Sequence, residues 1–193
     1  MRVGIAGYGV VGKTRHQSIE SNTAYQVTAI SESSGEARKF IPAGINVYND
    51  YKSLIASADI DVIFISLPNL FAAEAACLSL QRGLHVFCEK PPARTHAELL
   101  EVEKQSLKFP ELKLMYGFNH RFHLSVEEAK SIIDSNSLGR LINMKGVYGK
   151  SQMISFNQTD WRTNREASGG GILLDQGIHM LDLMRYLSGE NFT

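Results

Sequence analysis

Short apolar runs alternate with helical segments along the first part of the chain. Each run has the length of a buried strand and is bounded by Gly, Pro or charged residues. Strands are predicted at 2–9, where the strand runs into a glycine turn, and at 25–32, 61–68, 85–88 and 112–118; helices are predicted from residue 10 onward, at 71–82 and at 95–108. This alternation is typical of an α/β fold with a doubly wound parallel sheet.

The pattern changes after residue 120. A helix is predicted over residues 125–136, with Ser125 and Glu128 as a capping box and Gly139 near its end. Residues 141–148 alternate as a strand of a new sheet would, and a later helix runs to about residue 187, where Gly189 terminates it. We therefore expect two domains, residues 1–120 and residues 121–193.

Composition narrows the class of protein. The chain has 193 residues, 44% of them apolar, and its 20 basic and 20 acidic residues balance. Because such a chain has no net field to attract nucleic acid or an anionic membrane, a small-molecule partner is favoured over either. Cys77 and Cys88 lack CxxC spacing, and the sequence shows neither a signal peptide nor an apolar run of transmembrane length, so a reducing cytoplasm is expected.

A glycine pattern, Gly7-x-Gly9-x-x-Gly12, follows the first strand. Gly7 allows a tight turn, Gly9 lets the backbone approach a pyrophosphate, and Gly12 lets the next helix pack closely on the strand. The N-terminus of that helix presents free N–H groups to phosphates. The pattern predicts a dinucleotide site, although by itself it also fits a tight turn without a ligand.

Glu32 ends the second strand, twenty positions after Gly12. A carboxylate at this point accepts hydrogen bonds from the adenosine ribose hydroxyls, which favours NAD. NADP stays an alternative, because neighbouring groups could soften the conflict between Glu32 and a ribose phosphate: Ser33, Ser34, Arg38 and Lys39. A solvated charge in a strand-end loop is the other interpretation of Glu32.

Lys90 comes directly after the strand predicted at residues 85–88. Ligands of open parallel sheets bind outside the carboxyl ends of the strands, so Lys90 is expected at the mouth of the crevice. Pro91 biases it toward an extended conformation. The alternative is a lysine that is simply solvated.

Several motifs together resemble the glucose-fructose oxidoreductase and inositol dehydrogenase family (Gfo/Idh/MocA). They are, in order, the glycine pattern, Glu89-Lys90-Pro91, Gly117-Phe118-Asn119-x-Arg121-Phe122, Gly169-Gly170-Gly171 and Asp175-x-x-x-His179. The resemblance covers nearly the whole chain. Asp160-Trp161-Arg162 and the run from Leu174 to His179 look most like sugar and cyclitol dehydrogenases, including those that act on nucleotide-linked sugars.

This resemblance implies a Rossmann domain followed by the start of a second α/β domain with an open mixed sheet, and a cis bond between Lys90 and Pro91. It implies an NAD(P)-dependent oxidoreductase, in the form of a homo-oligomer, that acts on a secondary alcohol of a sugar, cyclitol or nucleotide-sugar. The cofactor-binding residues would be Gly7, Tyr8, Gly9, Val10, Val11, Gly12, Glu32, Ser33, Leu67, Pro68, Asn69, Glu89, Lys90 and Asn119. Substrate would contact Lys90, Trp161, Arg162, Asp175 and His179.

Oxidation of an alcohol needs a base for the hydroxyl proton and a group that stabilises negative charge on the oxygen. Asp175 and His179 are spaced i and i+4, so on a helix the carboxylate can orient the imidazole. We expect His179 to be the base and Lys90 to stabilise the substrate oxygen. A lysine of depressed pKa could itself be the base, and the two roles would then be exchanged or shared.

Other interpretations of these residues stay open. The Asp175/His179 pair could be an ordinary helix pair or two ligands of a metal, but no third or fourth ligand is apparent, and we predict no metal. His120 and His123 are expected to be solvated or structural. Trp161, Arg162 and Arg165 are candidate sugar or phosphate contacts, and a tryptophan in a loop is as often a packing residue.

Members of the resembling family continue well beyond the point where this sequence stops. The chain is therefore expected to be a fragment or a truncated product that binds cofactor but does not by itself oxidise sugar. Two other functions occur in the family, a regulator that senses NAD(P) without turnover and a glycosidase that uses NAD transiently. The regulator is the weaker alternative, because sensing alone does not require Lys90, Asp175 and His179 together.

Overall fold

A computed structural model describes residues 1–149 and 161–192 of the chain. These residues form two compact units. The first unit comprises residues 1–117 and 166–169, and the second comprises residues 118–165 and 170–193. No helix in the described ranges is both long and apolar enough to cross a membrane.

Six parallel strands form the centre of the first unit. They are β1 (Arg2–Ala6), β2 (Gln26–Ser31), β3 (Asn46–Tyr48), β4 (Val62–Ile65), β5 (His85–Cys88) and β6 (Leu114–Tyr116). Their order in the sheet is β3-β2-β1-β4-β5-β6, and each neighbouring pair is parallel. The predicted doubly wound parallel sheet is confirmed, and the strand order reverses beside β1, where such folds bind their ligands.

Five helices connect these strands: α1 (Val10–Glu20), α2 (Gly35–Arg38), α3 (Tyr51–Ser57), α4 (Asn69–Gln81) and α5 (His96–Lys108). Helix α4 begins two residues before its predicted start because Pro68, the residue that precedes it, already fixes the turn. The Thr95 hydroxyl caps α5 by accepting from Glu98 N at 3.2 Å. The Glu98 carboxylate binds the Arg94 backbone N–H and guanidinium.

The sequence pattern did not locate β3, α2 and α3. β3 is a three-residue edge strand paired only with β2, and only one of its residues is partly buried, so it carries little hydrophobic signal. The predicted strand over residues 112–118 is shorter in the structure, Leu114–Tyr116, which matches the three residues of β5 with which it pairs.

The sheet buries apolar side chains on both faces. On one face, α3, α4 and α5 cover a core that includes Leu54, Ile63 and Leu80, and on the other, α1 packs over Ile5 and Ile30. Alternate residues of each central strand enter the two cores, as the pleat of a strand requires.

A cavity of about 570 Å³ lies on the α1 side of the sheet. Val62, Phe64, Phe87 and Met115 line it, and the rings of Phe64 and Phe87 stack with centroids 4.9 Å apart. Val62 and His85, which also lines the cavity, are the first residues of their strands. Because ligands of parallel sheets bind at the opposite, carboxyl ends of the strands, this cavity is not the candidate cofactor site.

The second unit contains a 3₁₀ turn (Asn119–Phe122) and then α6 (Leu124–Asp134). The predicted capping box of Ser125 and Glu128 is wrong. Helix α6 starts at Leu124 after a chain that is already turning, and His123 occupies the capping position, where its carbonyl accepts from Val126 N and Glu127 N.

The strand predicted over residues 141–148 is also wrong. Residues 141–149 have no regular secondary structure, and the described part of the second unit contains no strand. An alternating sequence forms a strand only where a neighbour accepts and donates the backbone hydrogen bonds, and no such neighbour is present among the described residues.

The helix predicted to carry Asp175 and His179 has two parts. A π-helical turn (Leu173–Gly177) holds Asp175, and α8 (Ile178–Ser188) holds His179. Gly177 ends the π-helical turn, and the Leu173 side chain packs close to it, since a Cβ there would lie 2.6 Å from Leu173 Cδ1. Gly189 ends α8 with a positive φ of 71°, as predicted. A short helix, α7 (Arg165–Ser168), precedes these elements.

Candidate functional site

The glycine loop joins the carboxyl end of β1 to the N-terminus of α1. Gly7 has φ +88°, and a Cβ there would lie 2.6 Å from Ser66 O. A Cβ on Gly12 would collide with the carbonyl oxygen of Gly7, so both positions need glycine for the fold itself. At Gly9 no described atom lies within 4 Å of such a Cβ, so the loop is open on this side. This is the room that a pyrophosphate needs against the backbone.

The first turn of α1 completes this cradle. Val10 and Val11 are exposed, and Gly9 occupies the capping position without a side chain to satisfy the N–H groups of the turn. The first N–H groups of a helix have no intrahelical partner and carry partial positive charge, so an anion fits there. The residues of the loop therefore fit a dinucleotide phosphate.

Glu32 lies at the carboxyl end of β2, beside the loop. Its carboxylate accepts hydrogen bonds from Tyr8 N and Ser34 N, each at 2.8 Å. Each carboxylate oxygen can accept more than one hydrogen bond, so the group can also accept from ribose hydroxyls. Arg38, which the sequence placed nearby, donates through Nε to the Glu32 carbonyl oxygen at 2.6 Å.

Tyr8 takes part in the loop through its backbone. Its side chain is buried, and its hydroxyl lies 2.6 Å from His16 Nδ1. Burial raises the pKa of the Tyr8 phenol. The tyrosine ring therefore belongs to the core beneath the loop, and only its N–H reaches Glu32.

Leu67, Pro68 and Asn69 form the exit from β4. The Leu67 side chain packs at Gly7, and Pro68 leads into α4. The Asn69 side chain is buried and donates to Ser168 O at 2.8 Å. In this arrangement Asn69 fixes residues 166–169 on the first unit, a partner that the sequence did not suggest.

Glu89 and Lys90 follow β5 directly. Arg15 of α1 donates to Glu89 Oε1 at 2.6 Å through Nε, and its Nη2 lies at the same distance from this oxygen. Gly117 packs against the other side of the carboxylate, since a Cβ there would lie 2.9 Å from Glu89 Oε2. Lys90 is half-buried, and its bond to Pro91 is cis, as the resemblance implied. Sequence reasoning missed Arg15, which no local motif marks.

Asp175 and His179 belong to the second unit, on successive turns. His179 is only 6% exposed although it is a polar residue. Gln176 Nε2 donates to Asp175 Oδ2 at 2.8 Å, which holds one oxygen of this carboxylate. Asp175 can stabilise an imidazolium one turn away. The pair can take up a proton and orient the group that carries it.

His120 of the 3₁₀ turn stacks on His179. The two ring centroids are 4.1 Å apart, and the ring planes differ by 12°. Tyr148 also stacks on both imidazoles, and Phe118 meets the His179 ring edge-on at 6.2 Å. Sequence reasoning took His120 for a solvated or structural residue, and no periodicity links it to His179.

The remaining predicted residues lie on two short turns of the second unit. Asn119 opens the 3₁₀ turn and is exposed. Trp161 and Arg162 lie on another 3₁₀ turn, where the Arg162 guanidinium is 4.5 Å from the centroid of the Trp161 ring. Asp160 lies outside the described residues. No group of three His, Cys, Asp or Glu side chains arranged for a metal occurs within residues 1–149 and 161–192.

Two family models match the chain. The model of the "Oxidoreductase family, NAD-binding Rossmann fold" matches residues 1–117, and the model of the "GFO/IDH/MocA C-terminal domain" matches residues 126–193. The chain belongs to the GFO/IDH/MocA oxidoreductase family. Its first unit is an NAD-binding Rossmann domain, which confirms the cofactor expected from the glycine loop.

Curated relatives include dehydrogenases of sugars. Levoglucosan dehydrogenase of Pseudarthrobacter phenanthrenivorans is 31% identical over 98% of this chain and 52% of its own length. D-glucoside 3-dehydrogenase of Escherichia coli is also 31% identical, over 98% of this chain and 54% of its own length. The chain thus spans about half the length of the curated relatives it matches.

Solved structures agree in fold. Myo-inositol 2-dehydrogenase from Lactobacillus plantarum matches 99% of this chain and 57% of its own with a TM-score of 0.87 and 30% identity. Levoglucosan dehydrogenase in complex with NADH and levoglucosan matches 98% of this chain and 54% of its own with a TM-score of 0.88 and 30% identity. These relatives are named as dehydrogenases of sugars or of a cyclitol, and one of the solved structures contains NADH.

Proposed function

We propose that the whole protein is an NAD-dependent dehydrogenase that oxidises a secondary alcohol of a sugar, a cyclitol or a nucleotide-sugar, or reduces the matching ketone. The observation that carries the proposal is the burial of His179, one turn after Asp175, in a chain whose first unit is an NAD-binding domain. A buried imidazole beside a carboxylate is suited to move a proton. The substrates named for the relatives support the substrate class.

In this proposal three residues of the chain have separate roles in the reaction. NAD, when bound, supplies the acceptor for the hydride. His179 takes the hydroxyl proton, and Asp175 orients the ring and stabilises its charged form. Lys90 donates a hydrogen bond to the substrate oxygen and stabilises negative charge there. Lys90 can also act as the base, in which case the roles of the two residues are exchanged.

The glycine loop and Glu32 hold the cofactor in this proposal. Gly7, Gly9 and Gly12 let the backbone approach the pyrophosphate, and the Glu32 carboxylate accepts from the ribose hydroxyls. Glu32 favours NAD over NADP because a ribose phosphate would place negative charge against it. Other contacts to the cofactor are proposed for Tyr8, Val10, Val11, Ser33, Leu67, Pro68, Asn69, Glu89, Lys90 and Asn119.

Two further parts of the proposal rest on the resemblance alone. Trp161 and Arg162 contact the substrate, and the whole protein forms a homo-oligomer. A cytoplasmic location is supported by Cys77 and Cys88, which are both free thiols. Burial raises the pKa of the Cys88 thiol, which disfavours the reactive thiolate form.

The experiment that tests the function follows two products at once. The whole protein is incubated with NAD and a panel of sugars, cyclitols and aryl glycosides, while NADH absorbance and aglycone release are measured. A dehydrogenase produces NADH in proportion to alcohol consumed. Aglycone release without net NADH would identify the glycosidase, and NAD binding without either product would identify the regulator.

A further inference from the structure

The stacked pair of His120 and His179 joins two titratable rings in the second unit. Their centroids lie 4.1 Å apart and their planes are nearly parallel. Two imidazolium ions at this distance repel each other, and stacked faces offer no hydrogen bond between the rings to offset the repulsion. The pair therefore favours states in which at most one ring carries a proton.

Burial decides which ring carries that proton. His179 is 6% exposed, whereas His120 is only half-buried. Removal of water disfavours the charged form of an imidazole, so the single proton is held more readily by His120. A charged His120 then opposes protonation of His179, and this ring stays neutral to a lower pH.

We propose that His120 is a positioning residue that keeps His179 unprotonated, so that His179 is ready to accept a proton from the substrate. This inference rests on the proposed function, in which His179 is the base. His120 acts in two ways. It fixes the plane of the His179 ring by stacking, and its charge lowers the pH at which His179 becomes protonated.

The other groups around His179 do not replace this effect. Tyr148 stacks on the same ring at 6.2 Å, and Asp175, one turn earlier, favours the charged imidazole once the proton arrives. His123 meets His120 edge-on at 5.3 Å. His120 is therefore the group whose charge opposes a proton on His179 across the shortest ring distance among the described residues.

Asp182 of α8 and Lys130 of α6 each form an ion pair, and Lys130 also lies beside a more distant part of α8 than His179. Asp182, on the next turn of α8, forms an ion pair with Arg121, so the two charges offset each other. Lys130 of α6 lies 5.9 Å from the ring of Tyr186, two turns beyond His179, and also pairs with Asp134. These groups stay the same in the variants described below.

Histidine ring NMR tests the proposal without any turnover. The protein labelled in its histidine side chains is titrated as wild type, as His120→Phe and as His123→Phe. Phenylalanine keeps an aromatic ring in the stack but removes the charge. We expect His179 to take up its proton at higher pH in His120→Phe, by about one pH unit, and at the wild-type pH in His123→Phe.

A substitution of the other histidine of the pair gives a second test. Because His179 is still neutral over the pH range in which His120 takes up its proton, His179→Phe should leave the His120 titration close to its wild-type pH. An unchanged His179 titration in folded His120→Phe, or an equal change in His123→Phe, would overturn the proposal. If His120→Phe does not fold, His120→Gln, which also removes the charge, takes its place. A rise of about one pH unit in the His120 titration of His179→Phe would show that His179 holds the first proton, and would overturn the proposal.

Turnover separates this inference from the proposed function. With an active substrate in hand, the acid limb of the kcat/KM profile should move to higher pH in His120→Phe and stay in place in His123→Phe. A ring titration that shifts as expected in a protein without dehydrogenase activity would retain the coupled pair and reject the dehydrogenase. An acid limb that stays in place in active His120→Phe would reject the role of His120.

Discussion

The backbone N–H of Tyr8 donates to the carboxylate of Glu32 at 2.8 Å, so the glycine loop is tied to the end of β2 by the same group that is proposed to bind ribose. The second carboxylate oxygen accepts from Ser34 N. Glu32 therefore has a structural task, which is to hold the loop, and a proposed recognition task that depends on its negative charge. The two tasks can be separated by substitution.

Glu32→Gln should narrow the preference for NAD over NADP while the loop keeps its shape. The glutamine oxygen can still accept from Tyr8 N and so hold the loop, although its NH₂ group cannot accept from Ser34 N as the second carboxylate oxygen does. The charge that opposes a ribose phosphate is gone. Glu32→Ala should also narrow the preference for NAD over NADP. It should in addition weaken binding of both cofactors, because the glycine loop loses its hydrogen bond to the Glu32 carboxylate. Calorimetric titration with NAD and NADP measures both effects.

Glu36→Ala is the matched control for Glu32. Glu36 lies in the same region, but its carboxylate pairs with Lys39 on the surface of α2, and its loss should change neither affinity. Tighter binding of NADP than of NAD by the unaltered protein would remove Glu32 from its proposed role.

Gly9→Ala should impair NAD binding, whereas Gly12→Ala should impair folding. A Cβ on Gly9 meets no described atom within 4 Å, so this variant should keep its melting temperature and lose NAD affinity. A Cβ on Gly12 would collide with the carbonyl oxygen of Gly7, so this variant should unfold at lower temperature. Thermal unfolding and NAD titration of both variants check the pair. Equal NAD affinity in Gly9→Ala and the wild type would show that the pyrophosphate does not approach this loop.

Lys90→Ala and His179→Ala should each lower kcat of the whole protein by about two to four orders of magnitude, and His179→Ala should leave NAD affinity little changed. Each removes a group that acts on the reacting oxygen or its proton. Asp175→Asn should cost less than His179→Ala, since Asp175 orients the ring and does not itself take the proton. Steady-state kinetics and NAD titration of the three variants measure these losses. A near-normal kcat in Lys90→Ala would refute the proposed role of Lys90.

We expect the free energy of unfolding to decrease at acid pH because of Asp61. Hydrogen bonds from Arg2, foremost through its side chain, lower the pKa of Asp61 to about 2. An unfolded aspartate titrates near 3.9, so the stabilisation is fully present above about pH 4 and is lost as pH falls toward 2. Asp61→Asn should therefore lower the melting temperature at pH 6, and its difference from the wild type should shrink as pH falls toward 2 and vanish below that pH.

Asp59→Asn is the control for that experiment. Asp59 also pairs with Arg2, but its side chain is 83% exposed, and a pair so open to solvent contributes little. Thermal unfolding of both variants between pH 2 and pH 7 measures the difference. A pH-independent effect of Asp61→Asn would contradict the assignment.

The sequence predicted the first unit well because its signals are local. Gly7, Gly9 and Gly12 specify a backbone turn, and the strands of a buried parallel sheet are short apolar runs that end where the ligand binds. The edge strand β3 escaped detection because it is three residues long and buries little.

The second unit was predicted less well because its signals depend on partners distant in sequence. Residues 141–148 alternate as a strand does, but a strand forms only beside another, and periodicity does not report whether one is present. The stack of His120 on His179 joins residues 59 positions apart (179 − 120), and the ion pair of Arg121 with Asp182 spans 61. Nothing in the local pattern around His120 distinguishes it from a solvated histidine.

The transfer of a labelled hydride tests the central claim most directly. The whole protein is incubated with NAD and a panel of sugars and cyclitols that carry deuterium on their ring carbons, and the NADH formed is analysed by mass spectrometry. The account predicts that an active substrate yields NADH one mass unit heavier than that formed from the unlabelled substrate, and that Lys90→Ala forms it far more slowly. NADH without deuterium, or tight NAD binding with no transfer from any member of the panel, would contradict the account.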